Sequence, residues 1–296
     1  MNKKFNEIKY NVSVVIPTLG GRQLIDTVLS LNKSSIIPVE IIICIPLKNK
    51  VTSLLKTHQN IKIIETKKKG QVYQRYIGFL KAKCNYVMQL DDDEILDQNC
   101  IEYLLETFTN KQQDNFAVGP LVLDYNSKLS VYPLYRNNIF NLCLYFLLNG
   151  FKGYLEGEVT YAGTGIGVNS NSVVTNYVKE VKWLPGGCVL HKKKHLIDKN
   201  YFPFEGKAYN EDLIHSCLLS QKGVKLYINK KAKAYIYNEN PMENISVMSY
   251  VSELKKDFIS RNYYLSLIGK NNKIPMYIYY FLIILKFIFL KIFKSG

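Results

Sequence analysis

The chain has 296 residues, 47% hydrophobic and 21% charged, with a formal net charge of +15 at pH 7. That balance fits one large folded domain, or a domain with an appendage, and excludes a disordered or collagen-like chain. The excess of positive charge calls for an acidic partner. Its lysines come in short scattered runs, such as Lys67–Lys69 and Lys192–Lys194, and match no nucleic-acid-binding module. No nucleic acid is therefore expected, and an anionic lipid surface is favoured. Cysteines at 44, 84, 100, 143, 188 and 217 form no C-x-x-C pair and lie mostly in apolar surroundings. They read as reduced, buried residues and not as a disulfide frame.

Met1–Tyr10 is polar and lacks the apolar stretch of a secretory signal, so the body of the protein is expected in the cytoplasm. Val12–Ile16 reads as a first strand, ending in Pro17-Thr18-Leu19-Gly20-Gly21-Arg22 and followed by a helix through Leu31. Strands are expected over Glu40–Ile45, Ile61–Glu65 and Tyr86–Leu90, with a helix over Gln71–Ala82 before the last. Short apolar strands alternating with helices imply an α/β fold with a mainly parallel central sheet flanked by helices. Ligands of such sheets bind beyond the carboxyl ends of the strands. Pro17–Arg22, the residues after Ile45, Lys69-Gly70 and Asp91–Glu94 all fall there.

The four consecutive acids Asp91, Asp92, Asp93 and Glu94 stand out. Packed carboxylates repel one another, and a hard divalent cation removes that repulsion. A solvated acidic turn, or a cap for a helix from about Asp97, explains the same run without a metal.

Further on, Ala117–Asp124 and Lys128–Tyr132 read as strands and Thr160–Asn171 as a glycine-containing loop. Trp183–Leu190 reads as a turn entering a buried strand. Glu211–Gln221 reads as a helix stopped at Gly223, and Val224–Ile228 and Ala232–Tyr237 as two more strands. His191 and His195 lack an acid to complete a zinc set, and His215 is expected on a helix surface. Ile139–Leu148 is apolar and is expected in the core, the other option being a shared membrane face. Ile274–Phe293 is the most apolar segment, but its uninterrupted part ends at Leu285, before Lys286 and Lys291. We read it as an amphipathic helix lying in the membrane interface, with a spanning helix and a core helix as alternatives.

Five motifs in order, across about residues 12 to 238, give a resemblance. They are Ser13–Thr18, Gly70 with Arg75 and Gly78, Leu90–Glu94, Pro185-Gly186-Gly187 and Asn210-Glu211-Asp212. The chain resembles inverting glycosyltransferase family 2, which has the GT-A fold, and within it bacterial non-processive enzymes of surface-polysaccharide synthesis. The resemblance implies a catalytic domain over 1–240, with a nucleotide-binding half at about 10–125 and an acceptor-binding half at about 126–240. A helical region over 241–296 would follow, with its membrane-associating segment at 274–293.

The resemblance also implies roles. Pro17, Thr18, Arg75, Lys69, Gly70, Asp91 and Asp92 would bind a nucleotide-diphosphate sugar, a UDP-sugar by default. Asp93, with Asp91, would hold Mn²⁺ or Mg²⁺. Asp212 would be the base that deprotonates the acceptor hydroxyl, oriented by Glu211, with Gly186 and Gly187 on the acceptor side. The acceptor would be a glycan or a polyprenyl-linked sugar, at the cytoplasmic face of the cell membrane. Cys44-Ile45-Pro46 departs from the acids that commonly contact the base in this family, and no Q-x-x-R-W element follows Asp212, which disfavours processive synthesis. Two other readings of the residues are a sugar nucleotidyltransferase and a non-catalytic metal- or anion-binding module.

Overall fold

The computed structural model describes residues 11–49, 55, 58–111, 113–171, 176–237 and 246–293. Met1–Tyr10, on which the reading of the N-terminus rests, lies outside them. The first half is built of β1 (Val12–Pro17), α1 (Leu24–Asn32), β2 (Glu40–Pro46), β3 (Ile61–Thr66), α2 (Gln71–Lys81) and β4 (Tyr86–Leu90). These four strands are parallel, in the order β3-β2-β1-β4. All of β1 and β2 is buried, as expected of strands covered on both faces. Helix α2 lies so close to the sheet that a Cβ on Gly78 would fall 2.3 Å from Val15 Cγ1 and 2.9 Å from Cys44 Sγ. Glycine at 78 thus sets the depth at which α2 presents its first turn.

The second half turns the sheet mixed. It comprises β5 (Glu94–Leu96), α3 (Cys100–Asn110), β6 (Phe116–Asp124), α4 (Ile139–Asn149), β7 (Val178–Val181), β8 (Cys188–Lys192), α5 (Glu211–Gln221), β9 (Lys225–Ile236), α6 (Val247–Leu267) and α7 (Ile274–Phe293). Strand β8 runs antiparallel between β4 and β6, β9 runs parallel to β6, and β5 and β7 pair antiparallel with β9. Because β8 is antiparallel to both β4 and β6, strands β6 and β9 run in the same direction as β1 to β4, so the mainly parallel sheet expected from the sequence holds, with β5, β7 and β8 running opposite.

Three expectations change. Lys128–Tyr132 is not a strand: Lys128 adopts φ 58 in a tight reversal, and only Ser130 bridges back to Leu123. The two strands expected over Val224–Tyr237 are one, β9, whose register against β6 slips between Pro120 and Leu121. Proline donates no backbone hydrogen bond, which explains the irregularity at that point. Helix α4 is not core. Only Leu148 and Asn149 are buried, while Ile139 and Phe140 are 76% and 72% exposed.

Helix α7 is a candidate membrane helix over Ile274–Lys291, long and apolar enough to cross a bilayer, with 17% of that window buried. The helix continues through Lys286, so the twelve-residue apolar run understates its length. It packs along α6: Tyr250 stacks on Phe287 at 3.7 Å and Phe258 meets Tyr280 at 5.2 Å. Because α6 carries Glu253, Lys255, Lys256 and Asp257, it does not suit the hydrocarbon beside a spanning helix.

Candidate active site

The carboxyl ends of β1 and β4 and the N-terminus of α2 enclose a cleft of about 630 Å³. Seven residues singled out in the sequence line it: Pro17, Thr18, Lys69, Gly70, Asp91, Asp92 and Asp93. Gln71, Gln74 and Lys207 join them. The loop after β1 and the acidic loop after β4 are tied directly, as the Thr18 hydroxyl donates to Asp92 Oδ2 and the Thr27 hydroxyl to the Asp92 carbonyl at 3.1 Å. Gln74 Nε2 donates to the carbonyls of Thr18 (2.8 Å) and Cys44 (2.6 Å), fixing α2 against the ends of β1 and β2.

Below the cleft, Arg75 is 1% exposed and does not offer a free fork to a nucleotide. Nη2 donates to Asp91 Oδ1 at 2.9 Å and Nη1 to Glu211 Oε1 at 2.8 Å. This corrects the expectation for Arg75: two acids flank a guanidinium in a dry interior and occupy both its ends. Gln71 Nε2 also donates to both Asp91 oxygens, at 2.9 and 3.0 Å, and the Tyr201 hydroxyl donates to Glu211 Oε2 at 2.7 Å. A chain Asp91–Arg75–Glu211–Tyr201 thus links the cleft to the start of α5, where Asp212 is the next residue.

Antiparallel pairing of β4 with β8 sets Pro185–Gly187 against the acidic run, with Asp91 N donating to the Gly187 carbonyl at 2.7 Å. A Cβ on Gly187 would fall 1.6 Å from Glu94 Oε1, and one on Gly186 would fall 2.5 Å from Glu211 Oε1. The two glycines make room for buried carboxylates, a reason different from the expected open approach to a sugar. Glu94 begins β5 and is buried, its Oε2 without a hydrogen-bond partner. Burial, and then the charges of Asp91 and Asp93, hold its carboxyl well above the ordinary range.

Burial pushes Asp91 up to about 6 against the opposing pull of Arg75. Burial, followed by the charge of Glu211, pushes Asp212 up to about 7, while the Leu213 N–H donates to its Oδ1 at 2.9 Å. His215 is not on a helix surface but buried: it stacks on Tyr201 at 5.4 Å, and burial, followed by Arg75, lowers it to about 3. A neutral imidazole results.

Asp93 is the most exposed acid of the run, yet the cleft wall beside it partly desolvates its carboxyl and, followed by the charge of Asp92, raises it, with Lys207 opposing. Among the described residues, no group of three or more His, Cys, Asp or Glu side chains forms a ready cage. Asp93, with Asp91 behind it, fits an ion held by one or two carboxylates and completed by phosphates and water, the usual mode for Mg²⁺.

The sequence model of the glycosyl transferase family 2 matches residues 13–169. The chain belongs to this family. Membership of this family favours neither the nucleotidyltransferase nor the non-catalytic module. Its GT-A fold is shared with a solved structure described as GalNAc-T7 with UDP, GalNAc and Mn²⁺, at a TM-score of 0.58 and 15% identity. The match covers 88% of this chain and 48% of GalNAc-T7, so this chain spans about half the length of that protein. No curated protein sequence matches it.

Gln71, Gln74 and Tyr201 were not singled out from the sequence. The first two share with Arg75 the first turns of α2, at the three- and four-residue spacing that puts side chains on one face. That spacing was a usable signal. Tyr201 sits in a loop with none. Lys207 precedes Asn210-Glu211-Asp212 by three residues, and only its position marks it.

Proposed function

We propose that the protein transfers one sugar, with inversion, from a nucleotide-diphosphate sugar to a hydroxyl of a lipid-linked or growing glycan. The setting is bacterial surface-polysaccharide synthesis at the cytoplasmic face of the cell membrane, reached through α7. The observation that carries this reading is the cleft walled by Thr18, Lys69 and Asp91–Asp93 and joined through Arg75 to Glu211 and Asp212. The division of labour is a catalytic body over 1–240 and a membrane-facing region over 241–296. GalNAc-T7 bound to UDP and Mn²⁺ supports a UDP-sugar as the default donor and a divalent ion beside it.

Pro17 and Thr18 would take the nucleoside, with Thr18 fixed by Asp92, and Gly70 lets α2 begin beside the diphosphate with φ 146, a conformation open to glycine. Lys69 and Lys207, both on the cleft wall, would face the phosphates. Asp93 with Asp91 would hold Mn²⁺ or Mg²⁺, which when bound supplies Lewis-acid neutralisation of the departing diphosphate. Asp212, pushed up to about 7, is suited to accept the acceptor's proton near neutrality. Glu211, held by Arg75 and Tyr201, fixes the backbone turn from which Asp212 projects. Gly186 and Gly187 would lie on the acceptor side of these acids.

Purified protein with Mn²⁺ or Mg²⁺ and lipid extract would be screened against UDP-, GDP-, CMP- and dTDP-sugars for nucleotide release. Release from one donor that depends on the extract and is lost in Asp93→Ala and Asp212→Asn is the expected result. Release that survives both substitutions would overturn the site.

A further inference from the structure

Helix α4 is apolar on nearly all sides and contains no charged residue, yet it is not buried. Phe140, Leu142, Phe146 and Leu147 are 72%, 50%, 49% and 44% exposed, and Phe151, in the turn that follows, is fully exposed and in ring contact with Phe146 at 5.3 Å. A surface of this kind is costly to leave in water and marks an interaction site. Helix α4 packs against α7, itself exposed at Phe281, Ile284 and Ile288, so the two helices make a continuous apolar surface.

The charge pattern names the occupant. Residues 125–155, which hold α4, contain no acid and include Lys128, Arg136 and Lys152. Residues 258–296, which hold α7, also contain no acid and include Lys270, Lys273, Lys286 and Lys291. The two stretches meet on one aromatic ring, as Lys152 Nζ lies 5.3 Å and Lys270 Nζ 3.8 Å from the centroid of Tyr161. Exposed Leu, Ile and Phe rimmed by Lys and Arg, with no acid between them, match the interface of an anionic bilayer, in which the rings enter the acyl boundary and the ammonium groups meet lipid phosphates. A soluble protein partner would not require an acid-free rim on both segments.

We propose that α4 and its Phe151 turn form the second half of a membrane-docking face, inserting beside α7 into an anionic leaflet. The proposal rests on the reading that α7 lies on the membrane, and it adds a second point of insertion. Two apolar elements fix the rotation of the body about α7, which one helix alone leaves free.

Cys143 on α4 is the exposed cysteine among the six, so the full-length wild-type chain can be labelled there with a polarity-sensitive fluorophore. Vesicles of phosphatidylcholine, with and without phosphatidylglycerol, would then be added, along with lipids carrying a quencher in the acyl chain. The expected result is a blue shift and quenching that require phosphatidylglycerol. In parallel, flotation of Phe140→Ser/Phe146→Ser/Phe151→Ser should show a loss of partitioning of roughly tenfold or more, with the melting temperature and detergent-phase donor hydrolysis unchanged. Wild type that floats with anionic vesicles while the label stays unshifted and the triple variant floats equally well would overturn the role of α4 and leave α7 as the sole anchor. Wild type that fails to float at all would overturn both.

Discussion

Replacing Arg75 by methionine tests whether the buried chain Asp91–Arg75–Glu211 holds the site together. The guanidinium is 1% exposed and pairs at 2.9 and 2.8 Å with two acids whose side chains are 23% and 7% exposed. Methionine fills much of the same volume but leaves both carboxylates without their counter-charge. Breaking a buried pair from one side costs about 3–5 kcal/mol, against a total of roughly 5–15 kcal/mol for a folded domain. At about 2 °C per kcal/mol for a protein of this size, the melting temperature at pH 7 should fall by roughly 6–10 °C.

The deficit should also depend on pH, and its sign is fixed. Without the opposing pull of Arg75, the folded-state pKa of Asp91, already pushed up to about 6 by burial, lies still further above its unfolded value near 4. Between those limits the folded state binds more protons than the unfolded state, so the variant gains stability as pH falls from 7 towards 5. Adding Glu211→Gln to Arg75→Met should recover part of the loss, because a neutral amide needs no counter-charge, whereas Glu211→Gln alone should destabilise. Thermal melts of the four proteins at pH 5, 6 and 7 supply the cycle. An unchanged melting temperature for Arg75→Met, or a loss independent of pH and additive with Glu211→Gln, would refute the reasoning.

Further outcomes follow from the same geometry. Asp212→Asn should lower turnover by about 10²–10⁴-fold with nucleotide binding intact, and wild-type kcat/KM should fall tenfold per pH unit below about 7 as that carboxylate protonates; a flat profile from pH 5 to 8 would remove it as the base. Gly187→Ala should cost about 1–3 kcal/mol or more in urea unfolding, because its Cβ would land 1.6 Å from Glu94 Oε1, and Glu94→Ala should relieve most of that cost. Asp93→Ala should weaken nucleotide binding by about tenfold or more, ~1.4 kcal/mol, by calorimetry with Mn²⁺, and EDTA should then make no further difference.

The first half of the fold was legible because its strands are apolar runs separated by helices of clear period. The ends of β1, β2, β3 and α2 fell within one residue of expectation, and β4 matched at both ends. The breaks in legibility have identifiable causes. Asn229-Lys230-Lys231 has the polarity of a turn, yet these residues stay within β9 across from the register slip beside Pro120, which no local pattern in β9 announces. Apolar composition marks Ile139–Leu148 for burial but does not say by what, and the protein leaves it uncovered. For the site, spacing placed Arg75 on the correct face of α2 but was silent on depth. Its depth follows from Gly78, which lowers α2 onto Val15 and Cys44, and from Glu211, which arrives from a helix 136 residues later.

The C-terminal helices are hydrogen-bonded to the turn before the proposed base. Asn210, immediately before Glu211, takes the left-handed conformation at φ 54, which asparagine tolerates better than most side chains. Its Nδ2 donates to Asp257 Oδ1 at 2.8 Å and to Ser260 Oγ at 2.9 Å, both on α6. Asp257 in turn accepts from Arg261 at 3.0 Å and from the Tyr280 hydroxyl of α7, and Arg261 donates to the Gly163 carbonyl. The turn that aims the proposed base is therefore hydrogen-bonded to the helix pair that carries half of the apolar face. An enzyme acting on a lipid-borne acceptor needs its base at a fixed height and angle above the bilayer, and this network is a direct way to transmit both.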